Sequence, residues 1–163
     1  FYDEKTESIT EISPKGIKRT IADEFPSEPI FSPNNKKAIY ISPLEWECPG
    51  SLYLYNLENG EIQELVSQNS TEQTHPKYAI WIDDNTIAII IGFSYGTVSI
   101  GGNVFVLTLN NNVLKQITDY PGKIQITKVH KKNNILNLTG IEYIDEELNE
   151  YKEFEDSISL NEI

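Results

Sequence analysis

The sequence predicts an all-β domain built of about three antiparallel four-stranded meander units. Two internal repeats, and the turn residues inside them, carry this prediction. The first repeat aligns residues 31–41 with residues 81–91, each reading as an aromatic residue, an Asx-rich turn and an apolar run. Asn and Asp tolerate positive φ and bond to their own backbone, so each copy predicts a strand, a tight turn and a second strand.

The second repeat supplies the other half of the unit. Residues 51–65 align with residues 103–117, and the first copy carries the favoured hairpin dipeptide Asn59-Gly60. The copies are offset by 50 residues in the first repeat and by 52 residues in the second. Because the two offsets agree within two residues, both halves belong to one repeating unit of four strands.

The length of the chain predicts a single domain. Residues 129–138 form a third, weaker copy of the first repeat. The N-terminal hairpin, residues 8–21, resembles the second half of a unit. Because the last unit has no clear fourth strand, we expect the N-terminal segment to complete the last sheet and cover its edge. The predicted domain spans 1–163, with units at approximately 25–66, 73–118 and 122–161.

One segment leaves two interpretations open. Residues 144–154 have apolar side chains near helical spacing, with Asp145 as a potential cap. The same segment stands where the other units have their middle loop, which favours a hairpin with residues 147–150 at its tip.

The repeated pattern resembles a known architecture. The run PIFSPNNKKAIYIS at 29–42, followed by SLYLYNLENGEIQEL at 51–65, is similar to blades of the β-propeller superfamily, of the TolB-like or WD40-like kind. The resemblance covers about residues 8–160. More loosely, the chain resembles a bacterial family of uncharacterised domains, numbered 4652 among the domains of unknown function. The resemblance implies an incomplete propeller, since closed rings have about four to eight blades, and it supplies no catalytic motif.

Charge excludes several classes of partner. The 163 residues include 25 Asp and Glu against 13 Lys and Arg, which gives a formal net charge of −12. Neutralising phosphates needs a basic face, so we expect no nucleic-acid partner. The same charge disfavours direct binding to anionic lipid, and no apolar run reaches the ~18 residues of a membrane span.

The start of the chain bears on its location. The sequence contains no Met and opens at Phe1, so we expect a processed form or a fragment. If the removed part was a signal peptide, lipoprotein leader or membrane anchor, the protein is extracytoplasmic and membrane-tethered, and this is the location we expect. A trimmed cytoplasmic chain is the alternative. Cys48 is the single cysteine, so it forms no intramolecular disulfide and leaves the redox compartment open.

Residues 92–96 read Gly-Phe-Ser-Tyr-Gly directly after an apolar strand, which is the form of a nucleophile elbow. An elbow leads into a helix, however, whereas a strand-like segment follows here. A triad also needs an acid and then a His downstream of Ser94, and in that order only Asp119 and His130 are available. We therefore expect a glycine-rich loop in a protein that is not an enzyme, with a serine hydrolase using Ser94 as the alternative.

No cofactor or metal site is predicted. His75 and His130 lack the paired spacing of metal ligands, and the acidic residues at 145–156 lack a calcium-loop pattern. These acidic residues are expected to form a solvated face. Glu45 and Glu47 flank Trp46 as a glycosidase pair could, but only their separation in space decides that reading.

The middle loops of the units predict where binding takes place. In a meander they share one face with the connections between units, and here they are the long segments 43–50, 92–102 and 145–150. Loops on a rigid scaffold commonly carry binding residues, and Trp and Tyr are enriched at interfaces. In the alternative reading, Trp46 merely covers a sheet edge. The predicted binding residues are Glu45, Trp46, Glu47, Ser94, Tyr95 and Thr97.

The sequence thus predicts a non-enzymatic interaction or ligand-binding module for a protein or small ligand. A structural domain that self-associates through open sheet edges, as in a homodimer, is the second class.

Overall fold

A computed structural model describes residues 1–163 and contains fourteen strands in four antiparallel sheets that do not close into a ring. The all-β prediction is confirmed. The N-terminal sheet contains β1 (Tyr2–Asp3), β2 (Ser8–Ile12) and β3 (Lys18–Ala22). The first unit contains β4 (Ile30–Phe31), β5 (Lys37–Ser42), β6 (Ser51–Asn56) and β7 (Ile62–Val66).

The remaining strands form two more sheets. The second unit contains β8 (Thr74–Asp83), β9 (Thr86–Phe93), β10 (Asn103–Thr108) and β11 (Val113–Gln116). The third unit contains β12 (Ile124–Lys132), β13 (Ile135–Tyr143) and β14 (Tyr151–Ser159), followed by a short 3₁₀ helix at Leu160–Glu162. None of the helical structure is long and apolar enough to cross a membrane.

The predicted turns are present where the Asx and Gly residues stand. Asn35, Asn112 and Asn133 adopt φ of 58°, 54° and 54°, and Gly60 adopts 75°. Such left-handed conformations are tolerated best by Gly and Asn. The turns therefore fix the hairpins from the local sequence alone.

The second unit lies between its two neighbours and is buried on both faces. On β9, Ile87 and Ile89 pack into a cluster with the first unit, whereas Ala88 and Ile90 pack into a cluster with the third. Side chains alternate between the faces of a strand, so a strand buried on both faces is apolar at every position. This explains the unbroken apolar run that ends at Ile91.

The N-terminal hairpin does not complete the last sheet, which corrects the sequence prediction. It forms its own sheet and packs on the first unit, where Ile9 and Ile21 bury against Tyr40 and Tyr55. The apolar face of the hairpin is satisfied by these aromatic side chains, so nothing drives it to the far end of the chain. The third unit consequently has three strands, and the chain beyond β14 turns into the 3₁₀ helix.

Residues 144–154 form a hairpin, as the preferred interpretation held, and contain no helix. β13 and β14 pair along nine residues, with Tyr143 opposite Tyr151 nearest the tip. The Asp145 carboxylate accepts hydrogen bonds from the backbone amides of Asn149 and Glu150. Asp145 thus closes a turn instead of capping a helix.

Candidate functional site

Two of the long loops meet above the start of β8 and enclose a groove of about 310 Å³. We call it the loop groove. Its eleven lining residues come from segment 44–47, from His75 and Lys77 on β8, and from segment 94–100. The volume lies at the lower end of the range of about 300–1,000 Å³ that is common for small-molecule sites.

The loop groove collects five of the six predicted binding residues. Glu45, Trp46 and Glu47 form its rim on one side, and Ser94 and Thr97 line it from the other. Tyr95, the sixth, does not line the groove. It is 43% exposed and packs edge-on against Phe93, with ring centroids 6.1 Å apart.

A tight turn presents Trp46 at the rim. The amide of Cys48 donates to the carbonyl of Glu45 at 3.2 Å, and Glu47 adopts a left-handed φ of 55°. Trp46 therefore stands at the tip of the turn with 68% of its surface exposed. An indole so exposed does not cover a sheet edge, so the alternative reading of Trp46 is wrong.

Close backbone approaches hold the second loop in place. A Cβ on Gly92 would lie 1.9 Å from the carbonyl oxygen of Gly101, so only glycine fits there. Gly102 exchanges two backbone hydrogen bonds with Ile126 of the third unit, at 3.0 and 2.9 Å. Gln125 adds a further link by accepting from the Gly101 amide at 3.0 Å. The loop is therefore anchored at its return and leads into a strand, unlike a nucleophile elbow.

Ser94 has a partner that the sequence did not reveal. Its hydroxyl and Nδ1 of His75 share a hydrogen bond of 3.0 Å. Burial, assisted by the charge of Lys77, lowers the pKa of His75 to about 4, so the imidazole is neutral at pH 7. Asp119 and His130, the acid and base available to the hydrolase alternative, are exposed and form no hydrogen bond with Ser94.

Lys77 is a second residue of the loop groove that sequence reasoning missed. β8 has a β-bulge between Pro76 and Tyr78, and Lys77 is its extra residue. Bulges redirect side chains and are common beside functional sites. Pro76 was the sign of this bulge in the sequence, because Pro occurs in strands mainly at edges and bulges.

The Lys77 ammonium is only partly compensated. It donates to the carbonyl oxygen of Ser99, and burial lowers its pKa to about 8. The ion pairs of the protein all lie elsewhere, so Lys77 has no carboxylate within 4.0 Å. A half-buried cation without a counter-ion is unfavourable in isolation.

The loop groove thus combines a cationic floor with an acidic, aromatic rim. Three hydroxyls, an imidazole and an ammonium line the groove, and an indole whose two sequence neighbours are glutamates stands at its rim. This arrangement can hold a polar ligand through hydrogen bonds and charge. Nowhere do three His, Cys, Asp or Glu side chains come together as metal ligands.

A larger cavity of about 480 Å³ lies near the loop groove, beside the end of β9. Glu72 is the one charged residue in its lining, which otherwise consists of neutral side chains and glycine backbone. Volume alone favours this cavity and a mostly apolar one of about 500 Å³ beside β5 and β8, but specificity depends on convergent polar groups. Because the loop groove gathers four ionisable side chains, it is the better candidate.

Comparison with known proteins places the chain among domains of this architecture. A family model described as domain of unknown function (DUF4652) matches residues 44–160. No curated protein matches the sequence.

Solved structures show the same fold. The crystal structure of a conserved candidate lipoprotein from Clostridium novyi NT has a TM-score of 0.77 and 26% identity, covering 94% of this chain and 96% of that one. The β-propeller domain of the trilobed protease from Pyrococcus furiosus, which has an open velcro topology, has a TM-score of 0.55 and 14% identity, covering 92% and 48%. A TolB candidate from Agrobacterium tumefaciens has a TM-score of 0.55 and 12% identity, covering 94% and 57%. The fold is therefore of the propeller type.

Proposed function

The chain belongs to the family described as domain of unknown function (DUF4652), and we propose that it is a non-enzymatic module that binds a small polar ligand in the loop groove. The observation that carries the proposal is that Lys77 has no carboxylate partner in a groove lined by five predicted binding residues. These residues are far apart in the sequence and meet because two loops of different units converge on β8. A ligand that supplies the missing charge partner would gain binding energy from the groove as it stands.

The proposed location is outside the cytoplasm, with the chain tethered to a membrane. Its support is the likeness to the candidate lipoprotein of Clostridium novyi NT, which extends over nearly the whole of both chains. The net charge of −12 is compatible with a soluble domain held near an anionic membrane without lying on it.

Hydrolysis by Ser94 is less well supported than binding. A general base works best with a pKa near the operating pH, and the pKa of His75 is held at about 4. Nδ1 of His75 bonds to Ser94, and no carboxylate accepts a hydrogen bond from the other ring nitrogen to orient the imidazole. We therefore assign the pair to holding the groove floor and not to chemistry.

A ligand panel tests the proposed function. Thermal unfolding is followed in the presence of sugars, nucleotides, organic acids, amines and short peptides, for wild type and for Trp46→Ala. Phe1→Ala is the matched control, since Phe1 is a similarly exposed aromatic residue, at 71%, in the N-terminal segment and does not line the groove. A ligand that raises the unfolding midpoint of wild type and of the control, but not of Trp46→Ala, supports the proposal. A ligand that stabilises wild type and Trp46→Ala equally contradicts the proposal.

A second candidate function is self-association through the third unit. β14 pairs with β13 along nine residues and has no strand on its other side. Such an edge is a template for another strand, although charged residues such as Glu153 and Glu155 oppose pairing. Absolute mass from light scattering at low and high salt tests this candidate: a salt-resistant dimer supports it, and a monomer contradicts it.

A further inference from the structure

We infer that the loop groove selects a zwitterionic ligand of the amino-acid or short-peptide class, with its carboxylate on Lys77 and its ammonium at the Glu45–Trp46–Glu47 rim. The inference rests on the proposed function, because it names the ligand class of the same groove. It follows from three features of the groove: the charge on its floor, the opposite charge on its rim, and its size.

The floor is built to receive an anion. Lys77 is half-buried, and an ammonium has three donors, of which the Ser99 carbonyl uses one. No carboxylate of the protein lies within 4.0 Å of it, although the chain has 25 Asp and Glu residues. A ligand carboxylate would complete a charge-assisted hydrogen bond, which is among the stronger polar contacts. The hydroxyls of Ser94 and Thr97 line the same groove and add neutral donors.

The rim has the opposite preference. Trp46 is 68% exposed, and its neighbours Glu45 and Glu47 are exposed and make no ion pair. The face of an indole attracts an ammonium group, and two adjacent carboxylates attract it further. A cation is therefore favoured at the rim and an anion at the floor.

Together, the floor and the rim of the loop groove discriminate between ligands by the signs of the charges at the two ends of the ligand. A ligand with two negative charges would meet the carboxylates of the rim, and a ligand with two positive charges would meet Lys77. A zwitterion satisfies both ends, and a groove of about 310 Å³ matches a ligand of dipeptide size. An amino acid or dipeptide carries its two charges at opposite ends of a short backbone, as this groove requires.

Three forms of one dipeptide test the inference. Glycyl-L-leucine, its N-acetylated form and its C-terminal amide are titrated into the full chain by calorimetry, so that each blocked form removes one charge. Wild type is compared with Lys77→Met and with the double variant Glu45→Gln/Glu47→Gln. Thermal unfolding of each variant checks the fold, and all three substituted side chains are exposed or half-buried.

We expect the zwitterion to bind wild type at least about tenfold more tightly than either blocked form, since one charge-assisted contact is lost in each. Lys77→Met should abolish the preference over the amide and keep the preference over the acetylated form. The double variant should weaken the preference over the acetylated form, since only the Trp46 indole is left to attract the ammonium, and keep the preference over the amide. Equal affinities for the three forms, tighter binding of a blocked form, or no binding of glycyl-L-leucine at millimolar concentration would overturn the inference.

The two proposals fail separately. If the dipeptides do not discriminate but another compound of the ligand panel binds in a manner that depends on Trp46, the zwitterion inference is wrong and the proposed function stands. If nothing in the panel binds in that manner, both are wrong.

Discussion

The imidazole of His75 lies 3.0 Å from the hydroxyl of Ser94 and ties the start of β8 to the loop after β9. The two residues stand nineteen positions apart in the sequence. They meet because His75 pairs with Gly92 in the sheet, two residues before Ser94. This hydrogen bond joins two residues that line the loop groove together with the exposed Trp46.

The first prediction concerns acid stability. His75 has a pKa of about 4 in the folded chain and of 6.5 in the unfolded chain. Between these pH values the imidazole is therefore more protonated in the unfolded chain than in the folded chain. Its contribution to stability is complete above about pH 6.5 and is lost as the pH falls towards 4. The unfolding midpoint of wild type should therefore drop, between pH 7 and pH 4.5, by at least about 2 °C more than that of His75→Asn. Parallel falls in the two proteins would show that His75 is not held neutral.

The second prediction concerns Lys77. Its pKa of about 8 in the fold lies below the ordinary 10.5, so the unfolded chain binds more protons between these values and stability from this group rises with pH. Replacing Lys77 by Met removes a charge that has no carboxylate partner and keeps most of the apolar stem. We expect Lys77→Met to be at least as stable as wild type at pH 7, and to lack the stability gain that wild type shows between pH 8 and pH 10. A loss of more than about 1 kcal/mol at pH 7 would mean that the ammonium is already well compensated.

The third prediction separates binding from catalysis. With a base of such low pKa, the Ser94 hydroxyl should not be activated, and a fluorophosphonate probe should label wild type no more than Ser94→Ala. Gel fluorescence or intact mass measures the labelling at pH 7 and pH 8. Labelling that disappears in Ser94→Ala would revive the serine hydrolase.

The fourth prediction tests the position of the N-terminal sheet. Ile9 is 6% exposed and packs against the first unit, so Ile9→Ala should lower the free energy of unfolding by about 2–4 kcal/mol. Ile17 in the same hairpin is 66% exposed, and Ile17→Ala should change the free energy of unfolding by no more than about 0.5 kcal/mol. Denaturant unfolding measures both. If Ile9→Ala were as mild as its control, the N-terminal sheet would not be part of the folded core.

Local sequence was sufficient for most of the fold. The Asn and Gly turns, such as those at Asn35 and Gly60, specify hairpins through their own backbone preferences. The repeat then indicates that the hairpins form similar sheets. What local sequence does not encode is which sheet a hairpin joins. The apolar face formed by Ile9 and Ile21 needs an apolar surface, and the side chains of Tyr40 and Tyr55 on the first unit provide it.

The candidate site was predictable in part for the same reason. Meander geometry alone places segments 43–50 and 92–102 on one face, and five of the six residues chosen from them line the groove. His75 and Lys77 were missed because their positions depend on strand register. A bulge at Lys77 shifts the pairing of β8 with β9, and one residue of register decides which side chains enter the groove.

Amide chemical shifts provide the most direct measurement of ligand binding in the loop groove. Nitrogen–proton correlation spectra of the ¹⁵N-labelled chain, recorded with pools of the ligand panel, locate any binding residue by residue. We predict that at least one pool shifts signals concentrated in residues 44–47, 75–77 and 94–100, and that Trp46→Ala abolishes these shifts. Shifts concentrated elsewhere, as along β14, or no shifts in these segments with any pool, would contradict the assignment of the loop groove as a ligand site.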